Sequence, residues 1–324
     1  MSRAGDFMAS YGFMYSRQQG SMMRGGRTAG DAEVLASCGA LGCPVKPREM
    51  TMQMHMLHLM YAATDRINLM LMPQIVSMDM TNRMLDGGFY TPVGGHAHGD
   101  MDLSGHTTGG FGDTTAAVLI NLRRGAGSEL HLGLGVSIPT GSVDKKMAHH
   151  GGDFMDYGMQ TGSGTWDFLP SLTMTGVLGN WSWGGQVSGV IRPNGRNSSG
   201  YALGDVFQGT VWSSYRLTRS LSASLRGVYT SQDGIRGQLR GVNEVVDAFG
   251  NTTYVRSQHS STDIAGNYGG RYADLGIGLS FAVPGRESNG DRIALEYLLP
   301  VKDHVKGYQL ERQGMLVANW NMMF

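Results

Sequence analysis

Methionine stands at every second position of Met50-Thr-Met-Gln-Met-His-Met-Leu-His-Leu-Met60, with Met50, Met52, Met54 and Met56 followed in the same row by His58 and Met60. Side chains two residues apart share one face of a β-strand. Five thioethers and an imidazole therefore line up on one surface. Thioether sulfur is a soft donor that suits Cu(I)-like ions, and imidazole also accepts copper. The residues alone admit two other readings: methionine as flexible filler of an irregular interior, and methionine as a greasy wall for organic cargo.

The same face rule extends the row. Met70, Met72, Met78 and Met80 share a face with Asn68 and Gln74, opposite Ile67, Leu69, Leu71 and Ile75. Met8 and Met14 lie beside Ser10 and Ser16, and Met315 and Met323 beside Asn319 and Asn321. These methionines are predicted to point inward, away from the oily face. For Met50–Met60 the inward register puts Leu57, Leu59 and Tyr61 outside, and the opposite register stays open. A second set of donors occupies Gly94-Gly-His-Ala-His-Gly-Asp-Met-Asp-Leu-Ser-Gly-His106. His96, His98 and His106, together with the His149-His150 pair, are candidates to capture Cu(II) or Zn(II) at outer loops. The competing reading is a solvated polar loop, because no fixed metal-ligand spacing is matched.

What must position these residues is a series of alternating strands. Oily rows recur along the whole chain, from Phe7–Tyr15 to Leu316–Phe324, each opposite a mixed row. Twelve such runs are discernible. Short connections fall near Thr64–Arg66, Gly125–Ser128, Gly179–Asn180, Leu217–Ser220 and Gly285–Asp291, and long ones near 19–49, 83–112, 138–165, 193–200, 235–270 and 301–312. Short turns alternating with long loops, on strands long enough to span a bilayer at a tilt, are the anatomy of a transmembrane β-barrel. The expected fold is all-β: a single domain over 1–324, a twelve-stranded antiparallel barrel with short periplasmic turns and long extracellular loops. The non-oily row then lines the lumen, with Arg123, Glu129, His131, Asp167, Arg192, Arg226, Asp274, Arg292 and Glu296 as its charged members.

Composition agrees. The 324 residues carry 26 basic and 26 acidic side chains, and this neutrality argues against a nucleic-acid partner. Mean hydropathy of −0.19 is what alternation produces when only every second residue meets lipid. No signal peptide is visible at Met1, so a mature form with its leader removed is the expectation. The two cysteines, Cys38 and Cys43, sit in a Gly-rich loop and are expected to form a local disulfide, with a thiolate metal pair as the alternative. No Gly-x-Ser-x-Gly elbow, His-Glu-x-x-His or P-loop is present, and no enzymatic activity is expected.

Three stretches carry a resemblance: Gly109-Gly-Phe-Gly-Asp-Thr-Thr115, Leu132-Gly-Leu-Gly-Val-Ser-Ile-Pro-Thr-Gly-Ser-Val-Asp144 and Gly162-Ser-Gly-Thr-Trp-Asp-Phe-Leu-Pro-Ser171. They resemble the transporter family named after the meta-pathway of phenol degradation, over about residue 50 to the end. The resemblance implies a barrel in the bacterial outer membrane with a transport or channel role. The Met- and His-rich segments resemble a metal-associated branch of that family. Phe324, closing an alternating strand with Trp320 and Met322, resembles the signal read by barrel-assembly machinery. The expected cargo is a soft ion, Cu(I) or Ag(I), with small hydrophobic or aromatic compounds as the alternative and a non-transporting structural barrel as a third reading. No cofactor is required under any of them.

Overall fold

Alternation over ten or more residues leaves the chain one way to segregate its two faces, which is to pair strands side by side until the sheet closes. The computed structural model describes residues 3–41, 43–85, 102–125, 127–147, 154–193, 195–241, 243–246, 252–255, 259–283 and 291–324. Its staves are β1 (Phe7–Gly25), β2 (Val45–Ala62), β3 (Ile67–Met72 continued by Gln74–Met84) and β4 (Asp102–Phe111 continued by Thr114–Gly125). There follow β5 (Ser128–Ile138), β6 (Asp167–Leu178), β7 (Trp181–Val190), β8 (Val206–Arg216), β9 (Leu221–Gln232) and β10 (Gly270–Ala282). The last continuous stretch, Arg292–Met323, doubles back at Lys306–Gly307, where Gly307 takes φ +58°. Its first arm (β11, residues 292–305) pairs with β10, and its second (β12, residues 308–323) pairs with β1. Each stave is antiparallel to the next, and β1 pairs with both β12 and β2, so twelve staves close into one barrel.

The exterior is a continuous apolar band. Tyr11, Leu57, Tyr61, Leu69, Leu71, Val187, Val211, Leu225, Ile277 and Leu295 are all exposed, as the oily rows require. Aromatic side chains gather at the short-turn end (Phe7, Tyr61, Trp181, Tyr215, Phe281, Phe324) and again toward the other end (Phe111, Trp166, Phe168, Phe207). Two aromatic belts flanking an apolar band are the signature of a barrel seated in a bilayer. No helix among the described residues is long and apolar enough to cross a membrane, and crossing falls to the strands.

Three expectations are corrected by local backbone. Arg123 does not join the lumen. A bulge between Asn121 and Arg123 shifts the alternation by one residue, placing Arg123 opposite Leu130 on the exterior face and Arg124 opposite Glu129 inside. The predicted long loop at 301–312 is strand instead, closed by the tight Lys306–Gly307 turn. The loop expected at 83–112 is also shorter, because Asp102–Phe111 already belongs to β4.

The long-loop end folds back on itself. Residues 27–41 form a strap with a short helix, Asp31–Leu35, over a small core of Met22, Ala29, Val34, Leu85 and Leu310. A disulfide joins Cys38 in the strap to Cys43 just beyond it. Salt bridges rim the strap. The Glu33 carboxylate accepts from Arg27 at 2.7 Å and Arg24 at 2.8 Å, and these bonds hold its pKa down to about 2. Burial alone would raise Asp31, but hydrogen bonds from Lys46 and Arg83 outweigh it and leave that carboxyl below its ordinary range.

Candidate functional site in the barrel interior

Registers and burial place the methionine row. Met8, Ser10, Gly12, Met14 and Ser16 of β1 lie opposite Met60, His58, Met56, Met54 and Met52 of β2, while the intervening pairs Phe7–Tyr61 and Tyr11–Leu57 are exposed outside. On the other side of β2, Met50, Met52 and Met60 lie opposite Met80, Met78 and Met70 of β3. On β12, Met323 and Met315 lie opposite Met8 and Ser16. The methionine face is therefore the interior one over four adjacent staves, and it divides into two parts.

The part nearer the long loops is packed. Val76, Met78 and Met80 are buried against Met155 and Met159 of the loop after β5, with Met50, Met52, Met54 and Met147 around them. The Thr108 hydroxyl donates to the Met159 carbonyl at 2.8 Å and fixes the loop on the wall. Met155 and Met159 give no signal in the sequence, because their Gly-rich surroundings carry no periodicity. The lower part, around His58 with Met56, Met60, Met70 and Met72, is only half-buried.

The histidines separate as well. His106 lies in β4 opposite the inward Met80, so it is a strand residue rather than part of a flexible loop. His96, His98, His149 and His150 lie outside the described residues. Among the described residues no cluster of three His, Cys, Asp or Glu side chains is placed to hold a metal ion.

Interior charges are paired off. Arg226 bonds Glu296 through Nε at 3.0 Å, and Arg312 bridges Asp274 at 2.7 Å and Asp303 at 2.5 Å. Arg192 donates to Asp167 at 3.0 Å, and Glu129 sits between Arg124 and His131 at 3.1 Å each. Gly276 makes room for the first pair, since a Cβ there would lie 2.7 Å from Glu296 Oε1. Arg292, opposite Ala282, is exposed at the short-turn rim. Pairing of this kind removes the single-sign rings by which pores select ions.

The three Gly-rich stretches singled out in the sequence meet at one node. Asp113, buried after the first segment of β4, accepts hydrogen bonds from Gly141 N at 3.0 Å and Ser163 N at 2.7 Å. Thr140 donates to the Gly112 carbonyl at 2.7 Å. Gly141 and Gly162 touch back to back, where a Cβ on Gly141 would fall 2.6 Å from Gly162 Cα. Thr165 and Arg192 then secure Asp167. The node turns the loop after β5 into the barrel, and Tyr157 of that loop packs with Tyr201 and Leu239 in a buried cluster.

A groove of about 540 Å³ lies where the wall itself is interrupted. The β6–β7 ladder runs to Ser171–Ser188 and resumes only at the Phe168–Ile191 bridge. Pro170 lies in the gap and has no N–H to give. Exterior side chains (Leu172, Val187, Phe207) and interior ones (Ser188, Val190, Val206) both line the groove, together with Gly189. Its volume is in the range of sites that hold small molecules.

Closed antiparallel pairing, an apolar belted exterior and an inward polar and thioether face define a bacterial outer-membrane β-barrel. The chain belongs to the family described as "Putative MetA-pathway of phenol degradation", whose model matches residues 75–255. Its fold is similar to that of an outer membrane channel from Pseudomonas putida F1, at 13% identity and TM-score 0.58, covering 99% of this chain and 96% of that one. The P. putida toluene transporter TodX matches at 9% identity and TM-score 0.38, over 99% and 90% of the two chains. A Pseudomonas aeruginosa FadL homologue matches at 9% identity and TM-score 0.41, over 98% and 89%. No curated protein matches the chain.

Proposed function

We propose that this barrel is a passive channel for small, uncharged apolar or aromatic solutes. The observation that supports the reading most directly is the groove at Pro170 and Gly189, an apolar site lined from both faces of the wall at a break in its hydrogen bonding. A solute held there touches lumen and hydrocarbon at once, so the site suits exchange between them. The paired interior charges fit neutral cargo, because no described ring of like charges favours an ion. The family to which the chain belongs supports the same class of cargo.

The test is flux into proteoliposomes. Toluene-sized aromatics should enter faster than into protein-free vesicles, and Gly189→Leu should slow them several-fold while leaving a small sugar unaffected. The substitution suits the fold, since a Cβ at Gly189 meets its nearest neighbours at 3.5 Å or more. Aromatic flux no greater than in empty vesicles would overturn the proposal.

A further inference from the structure

We propose that His58 and its surrounding thioethers form a soft-metal site for one monovalent Cu(I) or Ag(I) ion on the inner wall, separate from the packed methionines above it. The two halves of the methionine face differ in what they already do. Met78, Met80 and Met159 are committed, each at most 3% exposed and locked against one another. The lower half is half-buried and covered by no described loop core.

Its centre is an imidazole without a hydrogen-bond partner among the described residues. His58 lies opposite Ser10, but the Ser10 hydroxyl is already bonded to Asn321. Met56 and Met60 flank His58 on its own strand, about 6.8 Å away by strand rise. Leu59 pairs with Leu71 and Met56 with Gln74, so Met72 falls opposite His58 and Met70 diagonal to it. Met8, opposite Met60, closes the other side. Side chains opposite or diagonal on one face of a sheet are within reach when they are as long as methionine.

Convergence is visible at Gly12. A methyl group in place of its hydrogen would lie 3.2 Å from the Met56 terminal methyl and 3.5 Å from His58 Nε2, with Asn319 Oδ1 at 3.2 Å. The thioether end and the ring nitrogen therefore share one hollow, kept open by the missing side chain. The donor set is one neutral nitrogen and several sulfurs, with no carboxylate. Such a set suits a soft monovalent ion and discriminates against Zn(II), Mg(II) or Ca(II), which take harder or more charged ligands. Binding needs no electron transfer: the ion enters as Cu(I) or Ag(I) and displaces water. The site does not rest on the solute reading, and a barrel that passes no aromatic compound would still hold the ion.

The experiment is competition titration of the detergent-solubilised barrel with Ag(I), and with Cu(I) against a chromophoric chelator, followed by X-ray absorption of the loaded protein. One ion per chain is expected, with mixed nitrogen and sulfur ligation. His58→Ala should weaken binding by about tenfold or more and remove the nitrogen scatterer. Met56→Leu with Met60→Leu should do the same to the sulfur signal. Gly12→Val fills the hollow without removing a donor, and should also weaken binding. Met78→Leu with Met80→Leu is the control and should leave binding unchanged. Absence of binding at micromolar ion overturns the proposal. So does binding that survives both His58→Ala and Met56→Leu/Met60→Leu, or that is lost instead with the control pair. Heat-modifiability on gels establishes that each variant is a folded barrel.

Discussion

Asp113 shows how one carboxylate can hold a loop inside a barrel. Its two oxygens satisfy the amides of Gly141 and Ser163, both more than 25 residues away in sequence. Replacing it by Ala leaves two amides unpaired in a buried place, a cost on the order of 3 kcal/mol for charge-assisted bonds. Asp113→Ala is expected to leave the barrel folded and to expose the loop after β5 to protease. Unchanged cleavage kinetics between residues 144 and 160 would refute that role. The Gly-rich stretches were conspicuous in the sequence, but their meeting point was not. Nothing local in Gly-Asp-Thr-Thr names a hydrogen-bond partner so far along the chain.

Glu33 acts at the same scale, with a pH dependence. Bonds from Arg27 and Arg24 hold its pKa at about 2, below the ordinary value of 4.5. A lowered carboxylate pKa means that ionised Glu33 stabilises the folded strap fully above about pH 4.5, and that this stabilisation is lost as pH falls toward about 2. Because the carboxylate is open to solvent, the effect is screened and local. Hydrogen exchange over residues 27–35, corrected for intrinsic rates, should show less protection at pH 3 than at pH 6. Glu33→Gln should flatten the difference. Equal protection in the unsubstituted protein would contradict the assignment.

At the scale of elements, period two was enough to find every stave. The oily rows at Leu57–Tyr61, Leu275–Phe281 and Ile293–Leu299 are the exposed ones in the structure. Alternation is legible because the hydrocarbon imposes it on every second residue. It fails where the backbone slips. The bulge after Asn121 moved Arg123 outside and brought Arg124 in, since one extra residue inverts every face beyond it. At 301–312, polar residues such as Lys302, Asp303 and Lys306 read as loop. They are strand because Asp303 is held inside by Arg312, a contact made only after the hairpin forms. The packed methionine cluster was not legible in the sequence. Met147, Met155 and Met159 come from a loop with no period, so their union with Met78 and Met80 follows from the Asp113 node rather than from spacing.

Over the whole molecule, one partition organises everything described: an apolar belt outward, and thioethers and paired charges inward. It locates the His58 hollow, isolates the committed methionine cluster beneath the loop, and leaves the Pro170 gap as the place where the two surfaces meet. The partition is measured most directly along β2. Single spin labels placed from residue 56 to residue 61 in bilayer-reconstituted protein report collision with oxygen, which concentrates in hydrocarbon, and with a water-soluble nickel chelate. Labels at 57, 59 and 61 should be oxygen-accessible, and labels at 56, 58 and 60 nickel-accessible, in strict alternation. The reverse phase, or no alternation, would contradict the inward methionine face.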